Sequence, residues 1–449
     1  MLKKILIANR GEIAVRIIRA CKEMNIQTVA VYSEEDKNAL HTKLADKAVC
    51  IGPGQAQKSY LNMKNILEAA CLTGCDGIHP GFGFLSENAM FAKMCKESNI
   101  KFIGPSYEII NLMGNKSNSK ELMKKAGVPV IPGSDGDINN INDTKKIANK
   151  IGYPVMLKAS AGGGGKGIRL VYTDLELEKA YDLVKKEAKS AFNNDDIYVE
   201  KFIKNPRHIE IQILADEYGN AIHLGERDCT IQRNNQKILE ESPSAILDNS
   251  LRKKMGEVAI KAVKASNYTN AGTIEFLVDK NKKFYFMEMN TRIQVEHPIT
   301  EMVTDVDIVK EQIKIASGMK LGYKQEDIRF NGYSIECRIN AENPQKKFMP
   351  CPGKITEINF PGGNGVRIDT AIYPGYTIPA IYDSMIAKLI VHAKDRDEAI
   401  SKMKRCLEEF VIEDITTNID FLLQIMENNI YHNGNYDTSF IEKLISNKS

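Results

Sequence analysis

With 449 residues, 43% of them hydrophobic and 27% charged, the chain has a globular composition and exceeds the roughly 250–300 residues of one core, so two or three domains are expected. A formal net charge of only +3, with lysines and arginines scattered, leaves no electrostatic footprint for nucleic acid. No stretch reaches the roughly 18 apolar residues of a membrane span, and nine cysteines without a CxxC argue against a disulfide framework or structural zinc, so a cytoplasmic enzyme is expected.

The first residues place two lysines before a short apolar run. Ile5–Ala8 is too short for the apolar part of a signal peptide and ends in Asn9-Arg10. It reads as the first strand, Lys4–Ala8. A helix Glu12–Met24 follows, with Ile13, Ile17, Ile18, Cys21 and Met24 on one face. Thr28–Tyr32 and Ala48–Ile51 are further strands, then come a helix at Met63–Thr73 and a strand at Gly77–His79. This rhythm implies a parallel sheet with helices packed on it. The first turn carries one glycine, Gly11, where a dinucleotide fold wants GxGxxG, which disfavours a nicotinamide dehydrogenase. Cys71 and Cys75 lie in an apolar helical stretch and are expected to be small buried hydrophobes. A helical linker is expected around Ser119–Gly127, a loop over Pro132–Asp143, and a second alternating region from Tyr153 to Ile203. Beyond about Lys204 the chain is mixed, with strands that carry charged residues and no internal duplication.

Three segments carry chemistry. Val155–Lys158 reads as a strand closed by a lysine, and Ala161-Gly-Gly-Gly-Gly-Lys166-Gly167 follows. Glycines let backbone N–H groups approach phosphate oxygens, but no Ser or Thr follows the lysine, so this is no Walker A loop. Thr273–Asn290 reads as a β-hairpin turning at Asn281-Lys282. A two-residue turn there sets Glu275 opposite Glu288, with Asn290 on the same face. Facing carboxylates repel unless a cation lies between them, and an oxygen-only site completed by ATP phosphates suits Mg²⁺. The strand is then expected to continue through Arg292, Gln294 and Glu296, whose alternation would project a cation, an amide and a carboxylate to one side. That trio would form a small-anion pocket with a general base.

On these residues and the strings around them, the chain is identified as similar to the biotin carboxylases of the ATP-grasp superfamily. The matching strings include ILIANRGEIAVRIIRACKE, IHPGFGFLSEN, LKASAGGGGKGIRLV, NPRHIEIQIL, ERDCTIQR, MEMNTRIQVEHPITE, ECRINAE and YDSMIAKLIV, in order along the chain. The resemblance implies an ATP-grasp fold of class α/β and α+β. It would comprise an N-terminal parallel-sheet domain (1–113), a linker and mobile lid (114–203), an ATP-grasp core (204–330) and a C-terminal domain (331–449). It further implies ATP contacts at Lys116, Lys158, Gly163, Gly164, Gly165, Glu200, Lys201, Ile203, His208, Gln232 and Leu277. A Mg²⁺ or Mn²⁺ site at Glu275, Glu288 and Asn290 and a bicarbonate site at Lys237, Arg292, Gln294, Val295 and Glu296 are implied, with Phe82 and Arg338 on the biotin side. In the implied reaction Glu296 is the base, and ATP and bicarbonate give carboxyphosphate, whose CO₂ is taken up by biotin.

Three departures from the family pattern are visible. Asn234 and Asn235 stand where Arg and His are common, Asn115 where Asp is usual, and Asn364 where Phe is frequent in a stretch that, with Arg19 and Glu23, resembles a dimer contact. No Met-Lys-Met biotin-attachment motif occurs, so biotin is expected on a separate carrier protein, with separate carboxyltransferase subunits and a homodimeric enzyme. Acetyl-CoA carboxylase is the expected system, with a pyruvate or propionyl-CoA carboxylase as the alternative. Another ATP-grasp ligase and an inactive nucleotide-binding scaffold are the more distant readings.

Overall fold

The computed structural model describes residues 1–134, 136–138, 140–160, 167–192 and 195–446. The lid glycines Gly163, Gly164 and Gly165 fall outside these residues. Strands β1 (Lys4–Ile7), β2 (Gln27–Tyr32), β3 (Lys47–Cys50), β4 (Gly77–His79) and β5 (Lys101–Phe102) form a parallel sheet in the order β3-β2-β1-β4-β5. The apolar positions of the helix Gly11–Glu23 are buried as its periodicity requires. Glu12 and Arg16 are buried with them, which that pattern does not explain.

The three-stranded lid sheet pairs β6 (Val155–Ala159), β7 (Ile168–Val171) and β8 (Ile197–Lys201) in the order β7-β6-β8. The expected loop at Pro132–Asp143 is more ordered than its composition implied. Gly133 and Ile138 bridge to Glu200 and Ile197, and a helix begins at Ile141. Asn140 explains that start, because its side chain accepts from the Asp143 N–H. The preceding helix, Lys116–Lys125, starts three residues before the expected Ser119 and is capped by Asn115.

The remaining long strands form one antiparallel sheet: β9 (Arg207–Ala215), β10 (Ala221–Arg233), β11 (Gln236–Ser242), β12 (Asn270–Val278), β13 (Phe284–Asn290), β14 (Tyr333–Asn340), β15 (Val366–Thr370) and β16 (Met385–Ala393). Their order is β13-β12-β9-β10-β11-β14-β16-β15, so hydrogen bonding runs unbroken from the residues before 330 to those after it. The helix Asn249–Ala265 covers one face over Ile209, Ile211 and Ile274. The helix Arg396–Glu409 covers the far end over Ile335, Cys337 and Leu389.

Six of the nine cysteines are buried, but Cys71 and Cys50 are exposed, so the buried-hydrophobe expectation fails for Cys71. It falls on the outward face of the helix Met63–Thr73, whereas Cys75 lies past that helix's Gly74 cap and packs inward.

Candidate functional site

The hairpin β12–β13 brings Glu275 opposite Glu288, and by a different route from the expected one. The strands end at Val278 and resume at Phe284, with Asp279 donating its N–H to the Lys283 carbonyl at 2.8 Å. The loop is therefore Lys280-Asn281-Lys282, with Lys282 at φ +60°. That shifts the register by one beside the turn, where Phe276 faces Phe286. A bulge at Met287 restores it, so Glu275 meets Glu288.

Beyond Asn290 the expected strand is absent. Residues 291–296 bend away, and Glu296 leads into the helix His297–Thr304. Gln294 and Glu296 still point into the site, while Arg292 turns to the rim. There it donates to Glu87 at 3.0 Å and to Asn290 at 3.0 Å.

Lys237 on β11 is the centre of the cluster. Its ammonium lies 2.6 Å from Glu210, 3.1 Å from Glu275 and 2.6 Å from Glu296. Burial alone would depress this lysine, but Cys229 and the three acids hold it well above its ordinary value. Burial alone would raise Glu296, yet Lys237, Arg338 and Arg227 hold it well below the usual carboxylate range. Arg338 on β14 reaches Glu296 at 3.0 Å and Glu240 at 2.5 Å. Neither Glu336 nor Glu342, acids close to it in sequence, is its hydrogen-bond partner. Burial pushes the Glu240 carboxyl up to about 7 against the pull of Arg338.

Glu275 collects donors from every side. Asn290 donates at 2.8 Å, Gln294 at 2.7 Å, and His208 Nε2 stands 2.9 Å away. Gln232 in turn donates to His208 Nδ1 at 2.9 Å, and Leu277 pairs with His208 across the sheet. Glu288 is less enclosed. Its carboxylate has Lys116 at 3.9 Å, and a cavity of about 200 Å³ opens beside it, lined also by Glu87, Asn290 and Thr291. Burial and the charge of Glu275 raise its carboxyl.

Those features fit a hard cation. Two facing carboxylates are oxygen donors of the kind magnesium takes and Glu288 retains room beside it, whereas the Asn290 amide meets Glu275 through its nitrogen and turns its oxygen to Arg292. Ligand atoms of His208, Glu210 and Glu275 also converge within 4.8 Å, as do those of Glu210, Cys229 and Glu296. Lys237 bridges the acids of both sets, so an ammonium already fills the place of a metal there.

A second group lies on the lid. Glu200 accepts from Lys158 at 2.7 Å and from Lys120 at 2.9 Å, which together hold it low against its burial. The Lys201 ammonium turns back onto the carbonyls of Gly152 and Tyr153, and Ile203 is half-buried. The Phe82 carbonyl accepts from Asn9 at 2.7 Å, and its ring packs on the core that includes Ile13, Ile17 and Ile293. The carbonyl of Val295 accepts from Lys388 at 2.8 Å.

Asn234 and Asn235 form the two-residue turn between β10 and β11, at φ +51° and +62°. Both central residues of such a turn need positive φ, and Asn tolerates it better than Arg or His. Asn115 keeps the capping role an Asp would have, accepting from the Asn118 N–H at 2.9 Å. Glu23 pairs with Lys310 at 2.6 Å, not with Arg19, and Asn364 is exposed.

Sequence reasoning missed Glu210, Arg227, Glu87, Glu240 and Lys120. A signal for the first was present: His208, Glu210 and Gln212 alternate with Ile209, Ile211 and Ile213, the mark of a strand with one polar face. That polar face is buried, and Arg227 lies directly opposite Glu210 on β10. Glu87 could not be found this way, since it reaches Thr291 and Arg292 from the turn that follows β4.

Comparison with known proteins bears on this geometry. The family description "Biotin carboxylase, N-terminal domain" matches residues 1–110, "Carbamoyl-phosphate synthase L chain, ATP binding domain" residues 115–324, and "Biotin carboxylase C-terminal domain" residues 336–443. Biotin carboxylase 1 of Bacillus subtilis is 60% identical over 443 residues, covering 98% of each chain. A crystal structure of a biotin carboxylase–beta-gamma-ATP complex from Campylobacter jejuni superposes with a TM-score of 0.95 at 53% identity over 99% of both chains. The biotin carboxylase domain dimer of Hydrogenobacter thermophilus 2-oxoglutarate carboxylase, in complex with MgADP, ADP and bicarbonate, gives 0.94 at 52% identity over 99% of this chain and 98% of that one.

Proposed function

The chain belongs to the biotin carboxylase family, and from that premise we propose which of its residues carry the ATP- and bicarbonate-dependent carboxylation of biotin. The observation that carries the proposal is Glu296. It is a buried, charged carboxylate gripped by Lys237 and Arg338, and Lys237 also holds one member of the Glu275–Glu288 pair.

Glu275, Glu288 and Asn290 would hold magnesium, which when bound neutralises charge on the nucleotide phosphates. Lys116, Lys158, the lid glycines Gly163–Gly165, His208 and Gln232 are assigned to ATP, with the 200–203 segment and Leu277 on the base side. Lys237, Arg292, Gln294, Val295 and Glu296 are assigned to bicarbonate. Glu296 removes the bicarbonate proton, and a bicarbonate oxygen attacks the γ-phosphoryl group to give carboxyphosphate and ADP. Carboxyphosphate splits into CO₂ and a phosphate that deprotonates biotin, whose nitrogen then attacks CO₂. Arg338 meets the enolate-like oxygen of the ureido ring, with Phe82 on the biotin side. Positioning and charge neutralisation dominate such phosphoryl transfers, so the cations concentrated here serve that reading.

The finer assignment is to acetyl-CoA carboxylase, supplying malonyl-CoA for fatty-acid synthesis, with a carrier protein bearing the biotin, carboxyltransferase partners, a homodimeric state and a cytoplasmic setting. The relative from a 2-oxoglutarate carboxylase keeps the same chemistry in another carboxylase as the second reading. Among the described residues no helix is long and apolar enough to cross a membrane. The division at 113, 203 and 330 into N-terminal, lid, catalytic and C-terminal parts is retained as the functional partition. ADP release from magnesium-replete protein should require bicarbonate and rise further with free biotin; protein that ignores both additives would overturn the assignment.

A further inference from the structure

Lys388 is the largest charged anomaly outside the cluster. It lies on β16, is wholly buried, and has no place in the assigned reaction. A buried ammonium is costly unless it is hydrogen-bonded and paired, so its partners show what it is held for. Its Nζ donates to the Val295 carbonyl at 2.8 Å. Glu12, from the helix Gly11–Glu23 of the other sheet's domain, stands 3.2 Å away, and Asp369 on the neighbouring β15 stands 3.8 Å away. Asp369 is itself pinned by Arg367 at 2.8 Å. Glu336, buried on the adjoining strand, is a third acid near it, its carboxyl raised well above the ordinary range by burial.

The peptide whose carbonyl Lys388 grips is the one that joins Val295 to Glu296. No regular hydrogen-bond ladder holds residues 291–296, so this segment depends on such individual ties. Arg338 lies directly across from Lys388 in the β14–β16 register, so the two cations grip Glu296 from its side chain and from its backbone.

We propose that Lys388 is a positioning residue for bicarbonate, fixing the Val295–Glu296 peptide from beneath and tying it, through Glu12, to the parallel-sheet domain. This rests on the assignment of Val295 and Glu296 to the bicarbonate site. None of the described residues assigned to ATP is among the partners of Lys388, so its loss should separate the two substrates. A misplaced catalytic group costs about 10- to 100-fold for a shift near 1 Å.

The test is steady-state kinetics of bicarbonate-dependent ATP cleavage by the full chain. Lys388→Met, which keeps the bulk and removes the donor, should lower kcat/KM for bicarbonate by about tenfold or more. KM for ATP should stay within about twofold. Equal losses for both substrates, or an unchanged bicarbonate dependence, would overturn the proposal. Should Lys388→Met not fold, Glu12→Gln decides. Assays at about pH 8 keep Glu12 ionised, because burial pushes its carboxyl up to about 7. The loosened lysine should then weaken bicarbonate use several-fold while ATP KM holds; an unmoved bicarbonate KM refutes the tie. A wild-type chain without bicarbonate-dependent ATP cleavage would instead refute the assigned function.

Discussion

Replacing Arg338 by Gln separates the two halves of the reaction. In the resting site the guanidinium contacts two nearly sealed acids, Glu240 with 0% of its side chain exposed and Glu296 with 2%. Stranding one buried charge typically costs about 3–5 kcal/mol. Glu240 can avoid that penalty: burial already lifts its carboxyl to about 7, and without Arg338, which opposes that rise, it keeps its proton at neutral pH. Glu296 retains Lys237 at 2.6 Å. The stability loss should therefore be that of two charge-assisted hydrogen bonds partly replaced, about 2–4 kcal/mol, and the variant should fold. Catalytically, loss of one oxyanion donor costs about 10²–10³ in rate, and only biotin carboxylation forms an enolate-like oxygen. Biotin-independent, bicarbonate-dependent ATP hydrolysis should fall by less than about tenfold, because Lys237 still keeps the base charged. The assay measures ADP release and carboxybiotin formation on the same folded preparation. Equal losses in both would show that Arg338 acts through its grip on Glu296 and not on biotin.

Lys237→Gln should damage both activities and, by leaving Glu210, Glu275 and Glu296 without their shared ammonium, cost about 3–5 kcal/mol in urea denaturation. Glu288→Gln should abolish turnover at ordinary Mg²⁺, and unchanged Mg²⁺ dependence would refute the facing-carboxylate site. Asn235→Ala, at φ +62°, should lose about 1 kcal/mol of thermal stability that Asn235→Gly keeps, whereas Asn235→His should move the ATP KM more than kcat. For pH, Glu12 has a folded value of about 7 against an ordinary 4.5, so the folded chain binds the extra proton between them. Its contribution is complete below 4.5 and lost as pH rises to about 7, up to about 3 kcal/mol, so wild type should weaken relative to Glu12→Gln between urea titrations at those ends.

Much of the fold was legible because local chemistry dictated it. The helix expected near Met63–Thr73 has those bounds, and periodicity put Ile13, Ile17 and Ile18 on the buried face of the first helix. The facing acids were legible through two compensating errors. The hairpin loop is one residue longer than a two-residue turn, and the bulge at Met287 adds one residue back. Bulges have no strong sequence mark, so the register near the turn could not be read, yet the pairing at the acids came out right. The segment after Asn290 shows the converse. Its alternation mimics a strand, but the partners of Gln294 and Glu296 come from β10, β11, β12 and β14, and those contacts override local preference. Glu87 and Lys388 escaped for the same reason, since each meets the site from a segment distant in sequence.

The charge balance of the cluster explains why it belongs to function more than to stability. Arg227, Lys237 and Arg338 provide three cations for Glu210, Glu240, Glu275 and Glu296, four carboxylates within their hydrogen-bonding reach. Buried ion pairs of this kind contribute little net stability, because desolvation offsets their attraction. Protons relieve the surplus where Glu210, Glu240 and Glu288 are raised above their ordinary range, while Glu275 and Glu296 stay ionised. Glu275 and Glu288 can then receive a divalent cation at one end without first losing both protons. At the other end Lys237 and Arg338 already surround the base, so a bicarbonate entering there meets fixed cations and needs no reorganisation of solvent to be neutralised. An apolar core of equal volume would fold at least as well and could do neither.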